Sequence, residues 1–194
     1  MALERDGLVR RRHGAGTFIN PVAASLRHRF DKQVDYIATL ERAGYTARME
    51  VLEAGWIPLD SGLATHLELP RGAMAYRTVK RWFADDTIAM LATDTIPFEA
   101  DRRDGSERPL TVDPHRSLFE LVHDLTGDVV DWEMAYPGAA TLRRDDARRM
   151  GSRVGAATMV LELVGIGRKG RPRYHALELH RPDVVRYGLV RVVD

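Results

Sequence analysis

The side chains able to do chemistry in this chain fall two apart along stretches that read as strands. Over residues 73–83, period-two alternation puts Tyr76, Thr78, Lys80 and Trp82 on one face and Arg77, Val79, Arg81 and Phe83 on the other. In the next strand-like run, 87–96, Asp94 shares a face with Ala92, and in a late run Tyr174, Glu178 and His180 share one face. Ser117 opens a helical stretch, where a hydroxyl and the free N–H groups of a helix start suit an anion. These are groups that hold a small polar ligand. No paired acid and base and no nucleophile stands out as a reaction centre. Plainer roles compete for each: Lys80 or Arg81 as an exposed strand cation, Trp82 as a packing residue, His180 as a hydrogen-bonded sheet residue, and Glu133 as the partner of a nearby arginine.

A second group lies near the start. Arg10, Arg11, Arg12 and His13 run into Gly14-Ala-Gly16, followed by Thr17-Phe-Ile19, the pattern of strand, glycine turn and strand. Such a hairpin can lie along a nucleic-acid backbone, with cations on phosphates and bare glycines entering a narrow groove. The alternative is a solvated basic hairpin. Residues 1–32 carry seven Arg or Lys against three acids, whereas the whole chain has a formal charge of only +1. That balance excludes a uniformly basic nucleic-acid binder and leaves room for a local patch.

With no cysteine among 194 residues, disulfides, thiolate metal sites and cysteine nucleophiles are excluded. The seven histidines lack close ligand spacing, so neither a metal site nor a cofactor is expected. Gly14-Ala-Gly16 and Gly165-Ile-Gly167 lack the rest of a nucleotide fingerprint. No run approaches the roughly 18 apolar residues of a membrane span, and no signal-peptide stretch follows Arg12. The chain is expected to be cytoplasmic.

Positioning these groups falls to a series of short elements. Residues 2–9 read as a helix end closed by Gly7 and a strand start, and residues 21–32 as a linker after Asn20-Pro21. A helix from about residue 33 presents Val34, Ile37, Ala38 and Leu40 and stops at Gly44. Strands are expected at 46–56, 73–83, 87–96, 129–136, 157–166 and 173–181, with a final strand-like run at Val184–Val193. Asp60 caps a short helix before Pro70, a loop spans 99–114, and helices cover 116–126 and 143–150. The basic runs of the last helix alternate with Asp145-Asp146, the look of a solvated face.

A weak repeat is visible at an offset of 83: Ala64 matches Ala147, Leu67 matches Met150, and Gly72-Ala73 match Gly155-Ala156. Each copy reads strand, short helix, strand, hairpin, strand. The expected fold is α+β: two similar half-sheets joined into one antiparallel sheet, with helices on one face. The short hairpin connections exclude a parallel sheet.

Ala2-Leu3, Gly7-Leu-Val9, Arg11-Arg12 and Gly14-x-Gly-Thr-Phe18 together resemble the end of the winged helix-turn-helix domain of GntR-family transcriptional regulators. The resemblance makes residues 1–20 the end of a recognition helix plus its wing, with DNA contacts from Arg10, Arg11, Arg12, His13, Gly14, Gly16 and Thr17. The family's earlier helices would precede Met1, so this stretch by itself is expected to bind operator DNA weakly or not at all.

Residues 33–194 resemble the UTRA effector-binding domain of the HutC branch, a fold similar to chorismate lyase. Its carriers are Leu67-x-Leu-Pro70-x-Gly72, Lys80-Arg-Trp-Phe-Ala-Asp-Asp86, Leu91-Ala-Thr-Asp-Thr-Ile-Pro97, Ser117-Leu-Phe119 and Gly170-x-Pro172. The resemblance implies effector binding at Lys80, Trp82, Asp94, Ser117, Phe119, Glu133, Tyr174 and His180. It also marks departures: Trp82 stands where a base is common, Ala92 and Tyr174 where acids are. A less charged, more aromatic effector than a sugar phosphate follows. The implied protein is a homodimeric ligand-responsive repressor. The alternatives are a chorismate-lyase-like enzyme, for which fold analogy is the only support, and a dimerising modulator without DNA binding.

Overall fold

The computed structural model describes residues 9–12, 14, 16–21, 35–98 and 111–189. The basic hairpin is present: β1 (Val9–Arg12) pairs antiparallel with β2 (Gly16–Ile19), Arg11 opposite Thr17. Gly14 and Gly16 hold φ of 74° and 103° at its tip, a region open to glycine and strained for other residues. His13, the expected helix end and most of the expected linker lie outside the described residues.

Six longer strands form a second sheet. They are β3 (Ala47–Pro58), β4 (Met74–Ala84), β5 (Thr87–Pro97), β6 (Val130–Thr141), β7 (Ala157–Gly167) and β8 (Pro172–His180). Their order is β3-β4-β5-β8-β7-β6, antiparallel throughout. Among the described residues four helices accompany them: α1 (Tyr36–Arg42), α2 (Ser61–His66), α3 (Leu118–Thr126) and α4 (Arg144–Arg149).

The repeat is a property of the backbone. An offset of 83 carries β3, α2 and β4 onto β6, α4 and β7 end for end (Ala47 to Val130, Ser61 to Arg144, Met74 to Ala157). The bonds closing the two loops also correspond. Leu59 N–H donates to the Ala73 carbonyl and Leu142 N–H to that of Ala156, both at 2.8 Å. Glu68 and Gly151, one repeat apart, both take φ of 55°. The sheet is therefore two similar halves meeting at β5 and β8.

α1 and α3 cover one face of the sheet. Leu121, Val122 and Leu125 of α3 pack on Tyr76, Ile96, Leu161, Leu163, Tyr174 and Ala176, while Leu40 of α1 packs on Ala84, Ala89 and Val185. The expectation of helices on one face holds for these two. α2 and α4 lie on the other face, because its strand positions are apolar as well. Val79 and Leu91 cluster there with Ala147 and Met150, and Ala75 with Ala64 and Leu67.

Two boundaries differ from the sequence reading. β6 continues past residue 136 through Pro137-Gly-Ala-Ala140 to Thr141. Poor strand formers are tolerated there because β6 is an edge, where proline's missing donor breaks no ladder bond. The expected last strand does not form over Val184–Leu189. Instead Val185 is buried against the α1 cluster and Tyr187 hydrogen-bonds to His180.

Gly165 and Gly167 are both dictated by close approach. A Cβ on Gly165 of β7 would lie 1.9 Å from Cε1 of Tyr174, whose ring crosses that strand. A Cβ on Gly138 of β6 would meet only Val160, at 3.9 Å. Gly165→Ala is expected to lower the unfolding free energy by about 2 kcal/mol or more through overpacking. Gly138→Ala should stay within about 0.5 kcal/mol of the parent in urea melts.

Candidate functional site

Between the sheet and its two covering helices lies a cavity of about 340 Å³. Its floor comes from the centre of the sheet, where Lys80 of β4, Ala92 of β5 and Glu178 of β8 stand side by side in register. The small side chain of Ala92 leaves the hollow between a buried cation and a buried carboxylate. Asp94 lies one step along β5, opposite Thr78 of β4. Tyr36 of α1, Trp82 of β4, Glu133 of β6, Arg116 and Ser117 just before α3, and Phe119 in its first turn form the walls.

Burial sets the electrostatics. Lys80, Asp94 and Glu178 each expose 3% or less of their surface. The Lys80 ammonium donates to the Arg116 carbonyl at 2.7 Å; burial lowers its pKa, and Asp94 opposes that shift. Asp94 accepts from the Thr78 hydroxyl at 3.0 Å, and burial pushes its carboxyl up to about 6, with Lys80 pulling the other way. Glu133 is also raised, first by burial, while a hydrogen bond from the Tyr174 hydroxyl counteracts this. Glu178 accepts from the Tyr36 hydroxyl at 2.7 Å and lies 2.9 Å from Nε2 of His180. The other ring nitrogen of His180 is 2.9 Å from the Tyr187 hydroxyl. Burial, and then Glu178, raises the pKa of both tyrosines and keeps them as phenols.

Most sequence-predicted effector residues come together here. Lys80, Trp82, Asp94, Ser117, Phe119 and Glu133 line the cavity. Tyr174 lies beneath it, fully buried, with Phe119 edge-on at 6.3 Å. His180 is fully buried and acts through Glu178. Ser117 differs from expectation in its chemistry. It is the N-cap of α3 in a capping box, its hydroxyl donating to Glu120 at 2.8 Å and accepting from the Glu120 N–H at 3.3 Å. Its hydroxyl is thus already engaged, and the neighbouring carboxylate opposes an anion.

Tyr36, Arg116 and Glu178 are lining residues that sequence reasoning did not select. Glu178 had a signal, its alternation with Tyr174 and His180 on β8. Tyr36 had none, being the first residue of a helix remote in sequence from the sheet. Of the expected DNA contacts, Arg10, Arg11, Arg12, Gly16 and Thr17 belong to the separate β1–β2 hairpin, with Gly14 at its tip.

The antiparallel sheet and its covering helices superpose on solved GntR-family transcriptional regulators. The family model for the UTRA domain matches residues 42–186, and the chain belongs to that family. Among solved structures, PhnF from Mycobacterium smegmatis superposes with a TM-score of 0.71 at 21% identity, over 100% of this chain and 82% of that one. The effector domain of the same protein gives 0.68 at 19% identity, over 82% and 95%. A GntR-family transcriptional regulator from Enterococcus faecalis gives 0.63 at 14% identity, over 74% and 100%. No curated protein matches at the level of sequence. Fold and family together make this a ligand-responsive transcriptional regulator. No described helix is long and apolar enough to cross a membrane.

The raised carboxyl of Asp94 gives a pH test. Its folded pKa of about 6 exceeds the ordinary aspartate value of 3.8, so the folded state holds this proton more tightly than the unfolded chain. The residue therefore costs stability as pH rises from about 4 to 6, and the full cost, of order 3 kcal/mol, is present above that window. Asp94→Asn keeps an acceptor for Thr78 and should remove that downward slope in urea melts run from pH 4 to 7.

Proposed function

We propose that this chain is the sensing part of a cytoplasmic, homodimeric regulator of the HutC branch. In this reading residues 1–20 are the wing end of a DNA-binding domain, 21–32 the linker and 33–194 the effector domain. The supporting observation is the hydrogen-bonded chain Tyr36–Glu178–His180–Tyr187 in the cavity wall. Tyr36 is the first residue of α1, four positions after the end of the linker segment. A ligand that competes for Glu178 or presses on Tyr36 alters how α1 starts, and with it the chain that precedes α1. Coupling of this kind requires only that the ligand prefer one of two arrangements.

The lining narrows the effector. One buried cation, Lys80, faces three carboxylates, Asp94, Glu133 and Glu178. A strongly anionic sugar phosphate would meet more repulsion than attraction. A small molecule with one acidic group for Lys80, hydroxyl or ammonium donors for the carboxylates, and a ring against Trp82 and Phe119 fits better. Catalysis has less support, because Glu133 is already engaged by Tyr174, and Glu178 by Tyr36 and His180. Contact with DNA falls to the β1–β2 hairpin and its arginines.

A thermal-shift screen of small carboxylates, amino acids, sugars and phosphosugars tests the effector class. Stabilisation by phosphosugars alone would contradict it, and turnover of an aromatic carboxylate would favour the lyase-like alternative. For an effector found in this way, Lys80→Ala is expected to weaken binding by about tenfold or more, as loss of a charge-assisted hydrogen bond does. Tyr36→Phe should leave affinity within a few-fold, yet abolish the ligand-dependent change in amide exchange over residues 21–36.

A further inference from the structure

The face of the sheet opposite the effector cavity carries a separate cluster. His66, the last residue of α2, Glu162 of β7 and His175 of β8 bring one ligand atom each to within 4.8 Å of the others. Nε2 of His175 lies 2.9 Å from Oε1 of Glu162, and Nε2 of His66 lies 3.7 Å from the same oxygen. The two imidazole rings are 5.1 Å apart, tilted by 39°.

An ion pair between Glu162 and His175 explains part of this arrangement. It leaves His66 unexplained, since 3.7 Å is too long for a hydrogen bond and its ring still turns toward the same oxygen. Ligand atoms at about 2.1 Å from a tetrahedral cation lie about 3.4 Å from one another. The two distances to Glu162 bracket that value, so small side-chain shifts would close the shell on three sides. The fourth side opens into a shallow cavity of about 500 Å³, flanked by Trp132 and Tyr136. Water or a further ligand can reach a cation from there. Two imidazoles and one carboxylate are donors for borderline first-row cations and a poor set for calcium or magnesium.

We propose that His66, Glu162 and His175 bind a zinc-type divalent cation on the far face of the sheet. The cation would clamp the end of α2 onto β7 and β8. The expectation from sequence that no metal site exists rested on spacing along the chain. These ligands come from three elements 96 and 13 residues apart (His66 to Glu162 to His175), which linear spacing does not register.

Co²⁺ titration of the untagged full chain tests this, because cobalt bound to nitrogen and oxygen ligands at four or five coordination absorbs in the visible. One equivalent should give such a band and Zn²⁺ should displace it. His66→Ala removes an exposed ligand, and Glu162→Gln keeps a hydrogen-bond acceptor for His175 while removing the anionic donor. With the parent's far-UV circular dichroism retained, each variant should weaken Co²⁺ binding by about tenfold or more. Absence of a visible band in the parent, or a band of parental affinity in either variant, overturns the proposal.

Discussion

The burial of Glu178 is the constraint on which the effector face depends. A carboxylate at the centre of a six-stranded sheet has lost its water, and the protein must supply donors or leave it at a cost of several kcal/mol. Tyr36 and His180 supply them, and Tyr187 holds His180 in turn. The two donors and the tyrosine behind them come from three parts of the chain: α1, β8 and the segment after β8. Satisfying one buried charge therefore ties α1 and the segment after β8 to the sheet. The aromatic contacts follow from it, with Tyr36 edge-on to Trp82 at 5.6 Å and His180 edge-on to Tyr187 at 5.1 Å.

The repeated half-sheets explain why this charge lies where it does. Ala64 and Leu67 of α2 close a cluster with Ala75 in their own half, whereas Ala147 and Met150 of α4 pack across onto Val79 and Leu91 of the other half. The junction, β5 against β8, is where neither half dictates the packing, and there the polar residues of the cavity gather. Ala92 between Lys80 and Glu178 keeps the floor open at that seam. On the β6–β7 side, Gly165 plays the corresponding part. Its bare backbone lets the Tyr174 ring cross to Glu133, two strands away.

Strand positions were legible in the sequence because alternation and glycine turns are local, and the repeat reinforced them. The same alternation located Lys80, Trp82 and Asp94 on the cavity face. Three things were not legible, each because it depends on distant chain. Pro137 masks the second half of β6, and only its place at a sheet edge makes it acceptable. The run after Asp183 has strand-like composition, yet Val185 gains more by burial against α1. Tyr36 reaches Glu178 across 142 residues, and nothing in its own neighbourhood points there. The capping box at Ser117 was readable from Ser117 and Glu120 three residues on, and it redirects that hydroxyl from a ligand to the helix start.

The charges in the cavity bear on how a ligand could be sensed. Lys80 donates to the backbone carbonyl of Arg116, and Asp94 and Glu133 both hold protons more tightly than they would in water. Such a site is kept short of its best electrostatics by the dry sheet beneath it. A ligand bringing a negative group to Lys80 and donors to the carboxylates would relieve that shortfall, and its binding energy would depend on the ionisation it stabilises. Full ionisation of Asp94 and Glu133 would increase the repulsion on Glu178, which Tyr36 and His180 must then offset. The Tyr36 hydroxyl is thus the point at which charge in the cavity becomes a force on α1.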